Sequence, residues 1–283
     1  MIKSSLLAIG TTARELVLEW HVLGLFNALY AALLAVLYLF VSTKEASAWQ
    51  LGLTALLAIC APVLFFLIQS ASVVRYGKNE ARPAALFLQA IKALWKIFLI
   101  GVPLILLALL FVYLLNKLQA QFPVAETEAT RPALIPLSHP SAAHPPQQTL
   151  RWPDVFISSL RLLLLGVLLP LAAIHLWLAA ARLGFVQTLK QALSILAHAF
   201  SAQSILIYAV GLILFGLMPF FLIFTRTPVR SAWAELLLFG LRLALAFIFT
   251  LWGWLVTVGA LAKTNHGDTA TVDAENTETP LAV

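Results

Sequence analysis

The chain holds one cysteine and two methionines, and only 11% of its 283 residues are charged. A single cysteine, Cys60, excludes an intramolecular disulfide and leaves no mark of the redox compartment. The scarcity of charge excludes a soluble domain, whose surface needs far more polar cover. Asn-x-Ser/Thr is absent, which removes one sign of a eukaryotic secretory route. Also missing are HExxH, GxSxG, a phosphate-cradling glycine loop and a DxD pair. The chain is therefore expected not to be an enzyme, and no cofactor or metal is called for. No carboxylate lies deep in an apolar run, so the usual means of coupling protons or sodium to transport is lacking.

What the chain has is apolar length. Hydrophobic residues make up 61% of it and its mean hydropathy is +0.95. Six stretches, His21–Ser42, Gln50–Val74, Ile97–Leu115, Val155–Ala181, Gln203–Phe224 and Trp233–Ala262, approach or exceed the roughly 20 residues that cross a hydrocarbon core. The expected fold is all-α, a polytopic integral membrane protein with six transmembrane helices in contact with the lipid bilayer. It divides into an N-terminal cytoplasmic segment 1–20, transmembrane helices 1–3 in 21–118, a Pro-rich external loop 119–154, helices 4–6 in 155–263, and an acidic tail 264–283. The tail, with Asp268, Asp273, Glu275 and Glu278, is expected to be disordered.

The net charge of +6 is scattered beside the spans and forms no nucleic-acid surface. With the N-terminus inside, inner segments carry ten basic residues, among them Lys3, Arg14, Arg75 and Lys263, and outer segments carry six. Basic residues favour the cytoplasmic side, so both termini are expected there, with the bacterial inner membrane as the location. Met1–Gly10 is too short an apolar run for a cleavable signal, and Arg14, Glu15 and Glu19 follow it. It reads as an interfacial helix leading into the membrane. Seven prolines between Gln119 and Pro153 make the external loop an extended linker, with His139 and His144 as solvated residues within it.

Phe87–Phe98 and Phe185–Leu196 share Phe, Gln, Lys and a later Ile in step. Upstream, Leu56–Pro62 resembles Leu164–Pro170. The pattern predicts a parallel internal repeat of spans 2–3 and 4–5, with an insertion between the matched pieces. Each repeated segment is predicted to be an amphipathic helix on the cytoplasmic surface: Gln187, Lys190, Gln191, Ser194 and His198 share one face, and Phe185, Val186, Leu189 and Leu193 the other. The two helices are either elbows that position the next span or docking surfaces for a protein partner.

Charges within spans mark the candidate site, because an arginine near a helix centre costs roughly 2.5–3.5 kcal/mol on insertion scales. Glu235 and Arg242 lie seven apart on the sixth span. Ser158, Arg161 and His175 share a face of the fourth. A polar seam of Arg161, His175, Glu235 and Arg242 has two readings. It is a site for an anionic headgroup or substrate, or a structural pair such as Arg161 with Glu235 while Arg242 snorkels outward. Pro62, Pro103, Pro170 and Pro219 should each kink a span.

Two short elements resemble known families. Arg75-x6-Arg82-Pro83 resembles the opening Lys-x6-Arg-Pro of membrane phosphatidic-acid phosphatases over nine residues, but Arg75 replaces the lysine and the family's Pro-Ser-Gly-His and Ser-Arg…His elements are absent. The segment from Glu80 begins like the coupling loop of ABC-importer permeases, with Leu86 where its glycine belongs. Neither assigns a family. Non-enzymatic organisation or assembly of membrane components is the first functional expectation and a transporter or permease component the second. An intramembrane enzyme relying on His175 and the arginines ranks last.

Overall fold

The computed structural model describes residues 2–43, 47–78, 80, 82–122, 152–225 and 231–277, with side chains described as far as 264. Every regular element among them is helical. An N-terminal helix α1 (Ile2–Leu18) precedes four spans: α2 (Trp20–Ser42), α3 (Ala48–Lys78), α4 (Pro83–Ala120) and α5 (Trp152–Leu183). Two short helices, α6 (Phe185–Lys190) and α7 (Ala192–Ala199), lead into the spans α8 (Ala202–Phe224) and α9 (Ala232–Thr277). All six predicted spans are present, and their sides are apolar and open: Ile59, Leu106, Leu109, Phe221 and Leu237 are exposed. This is the build of a multi-pass membrane protein.

The helices run past the predicted spans because hydropathy marks only what lipid covers. Phe87–Phe98 is not a separate surface helix, since α4 continues unbroken from Pro83 through the third span. That segment buries Ala90 and Ile97, with Leu86 just before it also buried, and exposes Lys92 and Lys96. Its counterpart, Phe185–Leu196, does lie outside the spans, as α6 and the start of α7. Gly184, with φ of 85°, turns the chain there into a conformation that glycine alone adopts without strain. Trp152 and Pro153 open α5, where proline suits a first helical turn. Of the external loop, 123–151 lies outside the described residues, His139 and His144 with it. The expected disordered tail is helical as far as Thr277, with no proline to stop it before Pro280.

The prolines act unequally. Pro62 and Pro103 sit inside continuous α-helix. Pro170 and Pro219 follow π-helical turns, Leu162–Leu168 in α5 and Ile213–Leu217 in α8. A proline presses on the carbonyl four residues back, and a widened turn relieves that contact. Gly166 and Gly216 stand in these turns, each covered by the leucine one turn earlier, Leu162 or Leu212.

The chain forms two compact units that meet in sequence at two of these prolines. One comprises Met1–Pro103 and Pro170–Val283, the other Leu104–Leu169. In the larger, Phe26, Ile68, Ala71, Leu86, Leu255 and Leu261 are fully or almost fully buried. They belong to the start of α2, the end of α3, the start of α4 and the later part of α9, so this core sits at one end of the helices. Close approach through glycine holds it together, as expected where lipid supplies no hydrophobic drive. A Cβ on Gly211 of α8 would strike Thr257 of α9, and one on Gly253 of α9 would lie 2.9 Å from the Phe215 backbone nitrogen. In the smaller unit Leu115 of α4 and Ile157 of α5 are buried.

Candidate functional site

Arg161 lies in the smaller unit, where its guanidinium donates to Asn116 Oδ1 at 2.7 Å and to Gln119 Oε1 at 3.4 Å. Both acceptors are on α4, three residues apart and so on one face. The other three predicted residues belong to the larger unit. Arg242 donates to the carbonyl of Thr225, the residue that ends α8. A cation there satisfies an orphan carbonyl and complements the negative end of the helix dipole. Glu235 is exposed in the first turn of α9, where a carboxylate complements the positive end. His175 is 2% exposed, and its ring meets that of His198 edge-on at 6.4 Å, joining α5 to α7.

Each of the four has its own role within its unit. Arg161 closes α4 against α5, Arg242 and Glu235 complement helix ends, and His175 braces a surface helix. The contacts described for Arg161 are to the amides of the third span, within its own unit.

A denser polar group occupies the larger unit, around α1. Glu19, at the junction of α1 and α2, accepts an ion pair from Arg75 at the end of α3. Glu15, one turn earlier, pairs with Lys263 of α9 at 2.8 Å, and Lys263 also donates to Thr11 Oγ1 at 3.2 Å. Thr12 is fully buried and rests on Gly259 of α9, beside the Tyr76 ring. Deeper in, Trp254 donates to Gln69 at 2.9 Å and Ser70 to the carbonyl of Ala90 at 2.6 Å. Arg182 donates to the carbonyl of Ala262 at 3.0 Å.

The chain matches no protein-family model, no curated protein and no solved structure to which it was compared. Function must therefore be read from these contacts. Chemically they are clamps: carboxylates face cations, and hydroxyls and indoles face carbonyls and amides. Among the described residues no group of three or more His, Cys, Asp or Glu is placed to hold a metal.

Sequence reasoning used Glu15 and Glu19 only to dismiss a signal peptide, Lys263 only as a topology charge, and Arg75 as a topology charge and the start of the Arg75-x6-Arg82-Pro83 element. The signal was present in the spacing: two carboxylates four apart on one helix face require partners if that face packs.

Proposed function

We propose that this is a non-enzymatic protein of the bacterial inner membrane, with both termini cytoplasmic, that organises or assembles other membrane components. One observation carries the reading: the arginines Arg75, Arg161, Arg182 and Arg242, in the span helices or at their ends, all bond to groups of the chain itself. Polar side chains so engaged hold helices together. Meanwhile α6 and α7 keep Leu189 and Leu193 exposed, 67% and 85%, beside Gln187, Lys190 and Ser194. This is a surface for a membrane-adjacent partner, as the exposed side of Phe87–Phe98 also is.

The test is purification from native membranes in mild detergent, with quantitative mass spectrometry of what accompanies the protein. A stoichiometric membrane-protein partner, lost on Leu193→Glu while the variant stays folded, is the expected result. A partner that hydrolyses nucleotides would assign the chain to a transport complex instead.

Alanine at the three seam residues gives a second expected result. His175→Ala empties a buried site and should lower stability by about 2–3 kcal/mol. Arg161→Ala and Arg242→Ala, at half-buried sites, should each lower it by less, about 1 kcal/mol. Thermal unfolding in detergent reads the order, and loss of a specific activity at normal stability would contradict a structural role.

Orientation is read by labelling. With Cys60→Ala as background, Ser141→Cys should react with an impermeant maleimide in intact cells and Ser194→Cys only after permeabilisation. The reverse pattern would invert the topology.

The π turns of α5 and α8 favour a second reading, a transporter or permease component for a small or lipid-like substrate, since such turns recur where helices carry function. Substrate flux in liposomes holding the purified protein alone would establish it.

A further inference from the structure

Helix α1 buries Ser5, Thr12 and Leu16 against the bundle, with Ile9 and Ala13 packed beside them, and faces Ile2, Leu6 and Leu7 outward. Its packing partners are α2, α8 and α9, all in the same unit. The outward face has a charge pattern too. Lys3, Leu7, Gly10 and Arg14 fall at offsets of 4, 7 and 11 and so form one stripe.

Gly10 has no side chain, and a Cβ placed there would meet nothing within 4 Å. The stripe therefore dips at Gly10, between its two basic ends, into a shallow open hollow of about 660 Å³ lined by α1 alone, with Leu6 and Leu7 along it. The two acidic residues of this region face elsewhere, Glu15 to Lys263 and Glu19 to Arg75. Lys3 and Arg14 have no ion pair among the described residues, so the hollow is open, apolar along its length and positive at both ends.

Its depth in the membrane follows from the chain. Only Glu19 separates α1 from the first span, and exposed Trp20 opens that span, where an indole marks the water–lipid boundary. A helix fixed at that level meets phosphate headgroups on its basic residues and acyl chains on its leucines.

We propose that α1 is a lipid-recognition helix whose outer face binds anionic phospholipid, a phosphate engaging Lys3 at one end or Arg14 at the other and the acyl chain laid along Ile2, Leu6 and Leu7. The site goes beyond the organising role proposed above and stands whether that role or transport is correct. It is also built in, because the clamps at Glu15 and Glu19 hold the inner face of α1 and thereby fix the outer face toward lipid.

The test uses the full chain in nanodiscs of equal phosphatidylglycerol and phosphatidylcholine, followed by detergent release and native mass spectrometry of retained lipid. The wild type should retain phosphatidylglycerol in excess. Lys3→Gln and Arg14→Gln should each reduce that excess about five-fold, the contribution of one basic residue at an anionic surface. Both residues are exposed, so unfolding temperature serves as the control and should not move. Gly10→Leu fills the hollow without changing charge and should also abolish the excess. Equal retention by the wild type and the Lys3→Gln/Arg14→Gln double variant would overturn the site. Retention that survives Gly10→Leu would overturn it as well, leaving only diffuse attraction to a charged surface.

Discussion

Gly253→Ala is expected to push α8 and α9 apart and sharply lower the recovery of folded protein. The added methyl would lie 2.9 Å from the Phe215 nitrogen and 3.1 Å from the Leu214 carbonyl carbon, both backbone atoms. A side chain in the way can rotate, whereas a backbone in the way requires the whole helix to move. Overpacking of a tight contact costs about 1–3 kcal/mol, and an obstructing backbone places this change near the upper end. The shift would also strain its surroundings, because Thr257 donates to the carbonyl of Gly253 and packs against Gly211. Gly24→Ala and Gly240→Ala are the controls, since a Cβ at either meets nothing within 4 Å. Both should be neutral or slightly stabilising, because alanine is the better helix former. Unfolding temperature by fluorescence-detected size exclusion separates the cases. If Gly253→Ala melts like Gly240→Ala, close packing of α8 on α9 does not hold this unit together.

That contact could not be read from the chain. Hydropathy reports membrane immersion, so it located six spans, and α2 and α8 begin within one residue of the predicted starts. It says nothing of helix beyond the lipid. This is why the start of α4 was read as a surface helix, although Leu86 and Ala90 anchor it in the core. Periodicity, likewise, arranges residues on the faces of one helix without stating which helix each face meets. The pattern marked Arg161 as a polar residue of the fourth span but could not name its acceptors, Asn116 and Gln119, which are on the third.

The prolines show the same limit. Four were visible and four kinks were expected, yet only Pro170 and Pro219 follow π turns. Pro170 has glycine at the position whose carbonyl it crowds and Pro219 has one a residue later, whereas Pro62 has none there and Gly101 stands only two residues before Pro103, so glycine at or beside the crowded carbonyl distinguishes the two π sites. The denser polar group was missed because charges near span ends are ordinarily topology signals. Only contact reveals that Arg75 and Lys263 are also clamps.

Arg75→Ala should have the largest effect of any change to those clamps. It removes the cation facing Glu19 and leaves a carboxylate where α1, α2 and α3 meet. The side chains of Arg75 and Glu19 are 11% and 32% exposed, so water replaces the lost partner only in part. Breaking a buried pair from one side costs about 3–5 kcal/mol, and this half-sheltered one belongs at the lower end. Glu19→Gln should cost less, because its amide still accepts a hydrogen bond from Arg75. The pair Glu15–Lys263 is more open, at 52% and 35%, and Lys263→Ala should change stability by under about 1 kcal/mol and lose even that at high salt. A double-mutant cycle on Glu19 and Arg75 isolates the coupling, and the swapped variant Glu19→Arg/Arg75→Glu should recover part of it. Hydrogen exchange along α1 gives the local readout, with protection falling in Arg75→Ala and persisting in Lys263→Ala. If exchange in α1 is unchanged by Arg75→Ala, the helix is held by Thr12 on Gly259 and by lipid, and the ion pair only decorates a surface that packing has already fixed.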